Sequence, residues 1–254
     1  MSVLDQFSLE GKRALVTGAS RGLGRAMAIA LAEAGADVVC ASSNQGGADD
    51  TAKSVQSLGR TAWTTSADLA DRQAVRRMAE DAQRQAGAID ILINNAGITR
   101  DTTFHKMTAL QWQEVINTNL NSVFNMTRPV IEGMRNRKWG RIVQISSING
   151  QKGQYGQANY AAAKAGMHGF TISLAQENAK FGITVNTVSP GYVGTDMVMA
   201  VPEDVRAKIV AQIPLGRLGE PDEIAYAVGF FVGDKAQWIT GANLAINGGQ
   251  YMGW

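Results

Sequence analysis

Short runs rich in β-branched residues alternate along the chain with longer stretches whose apolar positions recur at helical spacing. The short runs predict strands over residues 13–17, 37–41, 61–66, 89–94, 140–145, 184–188 and 243–246. The longer stretches predict helices over 23–34, 47–58, 72–86, 112–137, 160–181 and 221–231, with a shorter helical stretch at 203–212. Strands joined through helical crossovers pair in parallel, and a parallel sheet needs helices on both faces. With right-handed crossovers the result is a doubly wound α/β sheet. No low-complexity linker and no repeat of solenoid period divides the chain, so residues 1–254 are expected to form one domain. The least regular part, 191–219, holds Gly194, Pro202, Pro214 and Gly216. It is expected to be a flap over a binding site, or else a surface excursion.

Composition narrows the function classes. A 45% hydrophobic content supplies a sizeable core, and a net charge of +2 makes no electrostatic case for nucleic acid or membrane as partner. No apolar run reaches the roughly 20 residues that span a bilayer, and the first dozen residues carry acids without the apolar core of a signal peptide. Cys40 is the sole cysteine, so no intrachain disulfide forms, and a reducing, cytoplasmic setting is expected. His105 and His168 stand apart, without metal-ligand spacing.

The chemistry starts after the first strand, where Gly18, Gly22 and Gly24 precede a helix pattern. A strand, a glycine turn and a helix N-terminus present backbone N–H groups and a positive dipole end to a pyrophosphate. The spacing differs from G-x-G-x-x-G, so that motif cannot be invoked. An acid ending the second strand would bind ribose hydroxyls and repel a 2′-phosphate. This chain has Ser42 and Ser43 there, with Arg21 available to pair with the phosphate, which favours NADP(H). Asp68 and Leu69 follow the third strand, where a carboxylate could hold the adenine amino group; Asn95, Ala96 and Gly97 follow the fourth. Asn95 reads equally as a ligand contact or a turn residue.

Tyr160 and Lys164 lie four apart in a helix pattern and so share a face. An ammonium about 4 Å from a phenol favours the phenolate by roughly 4 kcal/mol at an effective dielectric of about 20. That is about three pKa units, which would bring Tyr160 near neutrality as a proton donor or acceptor. Ser147 lies thirteen residues upstream. Gln154, Tyr155 and Gln157 fall between Ser147 and Tyr160 and are expected to line a carbonyl pocket.

Residues 17–24, 94–97, Asn119, Ser147, Tyr160, Lys164 and Pro190-Gly191, in that order, resemble the short-chain dehydrogenase/reductase family from about Leu9 to the C-terminus. The resemblance implies a single Rossmann domain with a seven-stranded parallel sheet. It also implies a homotetramer with the last residues near a subunit interface, where Trp254 would be buried. Within the family, residues 97–101, 139–143, 145–157, 167–171 and 247–252 resemble the bacterial acetoacetyl-CoA reductase branch. The 3-oxoacyl-acyl-carrier-protein reductases are similar over 156–166, while 7–12 and 42–50 look more like sugar-acid dehydrogenase branches.

By this resemblance Tyr160 protonates a carbonyl oxygen while NADPH gives hydride to the carbon, and Ser147 donates a hydrogen bond to that oxygen. Lys164 lowers the Tyr160 pKa and binds the nicotinamide ribose. Asn119 holds a water linking Lys164 to solvent, although local sequence alone reads it as a polar helix residue. Ser20, Leu23, Pro190, Gly191, Val193 and Thr195 join the cofactor contacts. Gly191, Tyr192, Asp101 and Lys106 join the substrate contacts, with loop solvation the alternative for the last two. The implied reaction is reduction of a short 3-oxoacyl thioester, acetoacetyl-CoA to (R)-3-hydroxybutanoyl-CoA. A carrier-protein thioester reductase and a sugar-acid or small-ketone dehydrogenase are its rivals. A catalytically silent NADP-binding sensor is the alternative of a different class, and the intact Ser147, Tyr160 and Lys164 argue against it.

Overall fold

The computed structural model describes residues 7–253; Trp254, expected at a subunit interface, lies outside the described residues. Seven strands form one parallel sheet: β1 (Arg13–Thr17), β2 (Asp37–Ser42), β3 (Ala62–Ser66), β4 (Ile91–Asn94), β5 (Gly140–Ile145), β6 (Ile183–Pro190) and β7 (Asn243–Ile246). Their order is β3-β2-β1-β4-β5-β6-β7. The chain grows outward from β1 to β3, then returns to lay β4 on the other side of β1. At such a reversal a crevice opens beyond the carboxyl ends of the strands.

Strand parity separates two cores. Ala14 and Val16, with Ile91 and Ile93, pack under α1 (Gly22–Glu33) and α10 (Pro221–Val232), against Met27, Leu31, Val228 and Phe231. Leu15 and Leu92 point the other way, with Ile142 and Val185, into Val75, Met78, Met126 and Met134 of α3 (Arg72–Ala86) and α5 (Ser122–Arg137). Both faces are dry, so the inner strands read as continuous apolar runs. Cys40 sits fully buried in β2, and burial pushes its thiol up to about 12, which keeps it in the unreactive form.

Local signals set the helix ends. The Asp71 carboxylate accepts from the N–H groups of Gln73 and Ala74 to start α3, and Gly87 at φ 80° stops it. Between α2 (Asp49–Ser57) and α3 lies the β3 edge of the sheet. The expected helix over 112–137 is interrupted. It begins earlier, as α4 (Ala109–Ile116), because Thr108 and Gln111 form a capping box. A π-helical turn, Asn117–Asn121, then intervenes before α5. Two short helices lie outside the sequence expectation: α6 (Ile148–Lys152), and α8 (Asp196–Met199) ahead of α9 (Glu203–Val210). The long helix over 160–181 is α7 (Ala158–Asn178) with a 3₁₀ turn after it.

The irregular excursion after β6 is closed at its base. Gly194 donates to the Gly219 carbonyl (2.9 Å) and Gly219 to that of Tyr192 (2.9 Å). Arg217 then grips Glu223 of α10 through both guanidinium nitrogens, at 2.8 and 2.7 Å. None of the described helices is long and apolar enough to cross a membrane.

Candidate active site

A cavity of about 670 Å³ opens beyond the carboxyl ends of β1, β4, β5 and β6. Its floor on the β1 side is the glycine turn. A Cβ on Gly24 would lie 2.0 Å from the Gly18 carbonyl oxygen, so the first turn of α1 packs directly onto the loop before it. The N-terminus of α1 has no side-chain cap and no acid in its first turn. Its unpaired N–H groups and positive dipole end therefore meet the cavity beside Gly18, Ser20, Arg21, Gly22, Leu23 and Gly24. That is the donor set an anionic pyrophosphate requires.

Ser42, Ser43, Asp68 and Leu69 line one end of the same cavity, and Asn95, Ala96 and Gly97 its middle. Pro190, Gly191, Tyr192, Val193 and Thr195 form the wall under the excursion. Arg21 has no carboxylate partner among the described residues, and no acid ends β2. Asn95 acts as a staple: its Nδ2 donates to the Thr17 carbonyl (2.9 Å), and its own N–H donates to Thr17 Oγ1 (2.9 Å). It joins the loops after β1 and β4.

Ser147, Tyr160 and Lys164 come together at the β5 end of the cavity. Gly150 makes this possible, since a Cβ there would lie 2.8 Å from the backbone carbonyl carbon of Lys164. Without a side chain at 150, α6 lies against α7, and Ser147, the cap of α6, faces Tyr160. Asn159, fully buried, fixes the start of α7: its Nδ2 donates to the carbonyls of Arg100 and Gln111 (both 3.2 Å), and its Oδ1 accepts from the Tyr160 N–H (2.8 Å).

The electrostatics differ from the sequence expectation. The Lys164 ammonium donates to the Ile145 carbonyl at 2.7 Å and lies 5.6 Å from the centre of the Tyr160 ring. Burial pushes Tyr160 up to about 12; a hydrogen bond from Ser147 opposes the rise, and the Asp101 carboxylate adds to it. Burial also pulls Lys164 down from 10.5 to about 8. Burial is thus the largest influence on Tyr160 and favours its neutral form, opposite in direction to the sequence expectation.

Asn119 is fully buried behind the cavity, in the π-helical turn. Its Oδ1 accepts from the Ile98 N–H (2.8 Å) and its Nδ2 donates to the Ile98 carbonyl (2.9 Å). The side chain holds the strand of backbone that carries Gly97 through the site. π-helical turns concentrate at functional sites, and here the extra residue turns Asn119 inward.

Of the expected substrate contacts, Ser147, Gln157, Gly191 and Tyr192 line the cavity. Gln154 and Tyr155 do not: Lys152 donates to Gln154 at the surface, and Tyr155 is 85% exposed. Gly153 and Gly156, both at positive φ, turn that segment outward. Lys106 is exposed on a 3₁₀ turn, and Asp101 stands outside the cavity, bound to Gln157. Asn149 and the Arg100–Glu114 ion pair line the cavity and were not singled out by the sequence. The position of Asn149 two residues after Ser147 was the one available signal.

Comparison with known proteins follows the same geometry. A family model described as short chain dehydrogenase matches residues 12–206. An acetoacetyl-CoA reductase of Shinella zoogloeoides is 55% identical over 243 residues, covering 94% of this chain and 98% of the relative. A 3-oxoacyl-acyl-carrier-protein reductase of Vibrio harveyi is 46% identical over 245 residues, covering 96% and 99%. A solved structure from Agrobacterium tumefaciens, described as a candidate 2-deoxy-D-gluconate 3-dehydrogenase with bound NADP, superposes with a TM-score of 0.89 at 39% identity, covering 96% of this chain and 98% of that one.

Proposed function

The chain belongs to the short-chain dehydrogenase family, and on that footing we propose that it reduces the 3-keto group of a short 3-oxoacyl thioester, acetoacetyl-CoA to (R)-3-hydroxybutanoyl-CoA, with NADPH. The observation that carries the reading is the meeting of Ser147, Tyr160 and Lys164 at one end of a cavity whose other end is an uncapped helix N-terminus. A reduced nicotinamide bound along that cavity would supply the hydride. The backbone N–H groups after Gly22 would hold its pyrophosphate, and Arg21, without a carboxylate partner among the described residues and beside Ser42 and Ser43, suits a 2′-phosphate.

Tyr160, held protonated, donates to the carbonyl oxygen as negative charge develops there, and Ser147 donates a second hydrogen bond to it. Lys164, a buried cation anchored on Ile145, stabilises the phenolate left behind. The 191–219 segment serves as the flap that closes the wall around Tyr192.

The thioester reading draws support from the Shinella zoogloeoides relative, and coenzyme A is preferred over a carrier protein because that relative is 55% identical, against 46% for the Vibrio harveyi carrier-protein reductase. Carrier docking would use a basic patch, and Arg128, Arg135, Arg137 and Lys138 are its candidates, with Lys138 exposed and the other three engaged in the chain. Arg137 binds Asp90 (3.1 Å), Arg135 binds Asn178 (2.8 Å) and stacks on Phe181, and Arg128 lies 3.9 Å from Glu132. One panel tests the reading: initial rates with NADPH and NADH against acetoacetyl-CoA, an acetoacetyl-carrier protein and keto-sugar acids. NADPH with acetoacetyl-CoA should give the highest kcat/KM, about tenfold or more over NADH, the worth of one charge-assisted contact to the 2′-phosphate. A preference for NADH, or for a keto-sugar acid, would sink it.

Self-association into a homotetramer belongs to the same proposal. Exposed Leu110, Trp112 and Phe124 mark α4 and α5, and Tyr226, Phe230 and Leu244 mark α10 and the edge strand β7. Sedimentation velocity should give the mass of four chains; a monomer at micromolar concentration refutes it.

A further inference from the structure

Lys164 is held at both ends by two successive residues of one neighbouring segment. Its ammonium donates to the Ile145 carbonyl (2.7 Å), and its own backbone carbonyl accepts from Ser146 Oγ (2.8 Å). Ser146 is itself pinned to the sheet, since its N–H donates to the Val188 carbonyl of β6 (2.8 Å). A third group reaches the same buried hydroxyl: His168 Nε2 lies 3.1 Å from Ser146 Oγ. Tyr160, Lys164 and His168 follow one another at four-residue spacing, so they share one face of α7. The first two line the cavity; His168 does not, and no step described above uses it. Ser146 borders the cavity but spends its hydroxyl on α7.

The hydrogens of this cluster can be placed in one way. A serine hydroxyl carries a single hydrogen, and a backbone carbonyl can only accept. The bond to Lys164 therefore takes the Ser146 hydrogen, and His168 Nε2 must carry the hydrogen of the second bond and donate it to Ser146 Oγ. A ring protonated on Nδ1 alone would present a lone pair to Ser146 and compete with the Lys164 carbonyl for that hydrogen. Burial pulls His168 below its usual value, so at neutral pH the ring has one proton to place. We propose that Ser146 and His168 are positioning residues for Lys164: His168 donates from Nε2 to orient the Ser146 hydroxyl, which fixes the root of Lys164 while Ile145 fixes its tip. A lysine stem is long and flexible, and anchoring both ends removes most of its freedom. Gly150 packs on the same stem, since a Cβ there would lie 2.9 Å from Lys164 Cβ. The proposal rests on the reading of Lys164 as the cation that stabilises the Tyr160 phenolate.

Steady-state rates with NADPH on acetoacetyl-CoA test the effect on Lys164. Ser146→Ala should lower kcat by about tenfold, the worth of one hydrogen bond, with KM for acetoacetyl-CoA within about twofold. His168→Leu should lower kcat in the same way, by about three- to tenfold. His168→Gln sets an amide N–H close to the place of the Nε2–H, so its kcat should return to within about twofold of wild type. Ser146→Ala combined with His168→Leu should be no slower than Ser146→Ala alone, because both act through one bond. Additive losses would show two independent packing effects and overturn the proposal. So would a kcat within about twofold of wild type in Ser146→Ala, or a loss confined to KM. Should Ser146→Ala fail to fold, the two His168 variants decide: equal losses in both overturn the proposal, and rescue by glutamine supports it.

The tautomer is read without any turnover. Nitrogen-15 NMR of the labelled protein at neutral pH should show His168 protonated on Nε2, and the signal should move toward a mixture of tautomers in Ser146→Ala. A wild-type ring protonated on Nδ1 overturns the proposal even where the rates agree. If the wild type does not reduce acetoacetyl-CoA, the proposed activity has failed, and the imidazole signals alone judge the clamp. Protonation on Nε2 that responds to Ser146→Ala then supports it, and a ring indifferent to Ser146 refutes it.

Discussion

Replacing Tyr160 by phenylalanine should lower kcat by at least about a hundredfold, the usual worth of a positioned general acid. The substitution removes one oxygen from a ring that α7 and Asn159 already hold in place, so the protein should remain folded. Only the proton and the hydrogen bond shared with Ser147 are lost. Because the phenol is held in its acid form, the loss belongs to proton donation and should fall on kcat, with substrate KM little changed. Steady-state rates with NADPH check it, and near-wild-type turnover would remove Tyr160 from the mechanism.

Asn119→Ala should cost about 2–4 kcal/mol of stability, since each hydrogen-bonding group left unpaired costs about 1–3 kcal/mol. Both the N–H and the carbonyl of Ile98 lose their partner at once. Asn119→Asp gives a sharper contrast. Its carboxylate can still accept from the Ile98 N–H, yet its other oxygen faces the Ile98 carbonyl where an N–H had donated, in a fully buried position. The aspartate variant should therefore be at least as unstable as the alanine variant at neutral pH. Urea midpoints measure both, and a loss under about 1 kcal/mol in Asn119→Ala would show that the amide does not hold the loop. Activity should fall with stability, because Ile98 follows Gly97 along the cavity wall.

The sheet was legible because its parallel strands are short runs rich in β-branched residues between helical patterns, and the glycine turn after β1 has a strand before it and a helix after it. What escaped was of four kinds. The π-helical turn has no residue signature of its own, so residues 112–137 read as a single helix although the polar Asn117-Thr118-Asn119 lies inside. At five residues, α6 is shorter than any window in which periodicity registers. The direction in which burial moves Tyr160 escaped because spacing reports that a cation is near but not how much water has been removed. Burial of the phenol and the turn of Lys164 toward Ile145 decide it. The Asp101–Gln157 bond spans 56 residues of sequence, beyond the reach of any local pattern.

The closed base of the segment after β6 has a consequence for how such a protein diversifies. Tyr192, Gly194 and Gly219 clasp the two ends together, so the chain between them is a loop whose closure is already met by backbone hydrogen bonds. Doubling the length of such a loop costs only about 0.6 kcal/mol. Changes of length between Val201 and Gln212 leave that clasp in place, while Ile213 to Leu215 are held separately, Leu215 donating to the Gly248 carbonyl (3.2 Å). The cavity wall around Tyr192 can thereby change in length while the sheet that carries the rest of the cavity keeps its order.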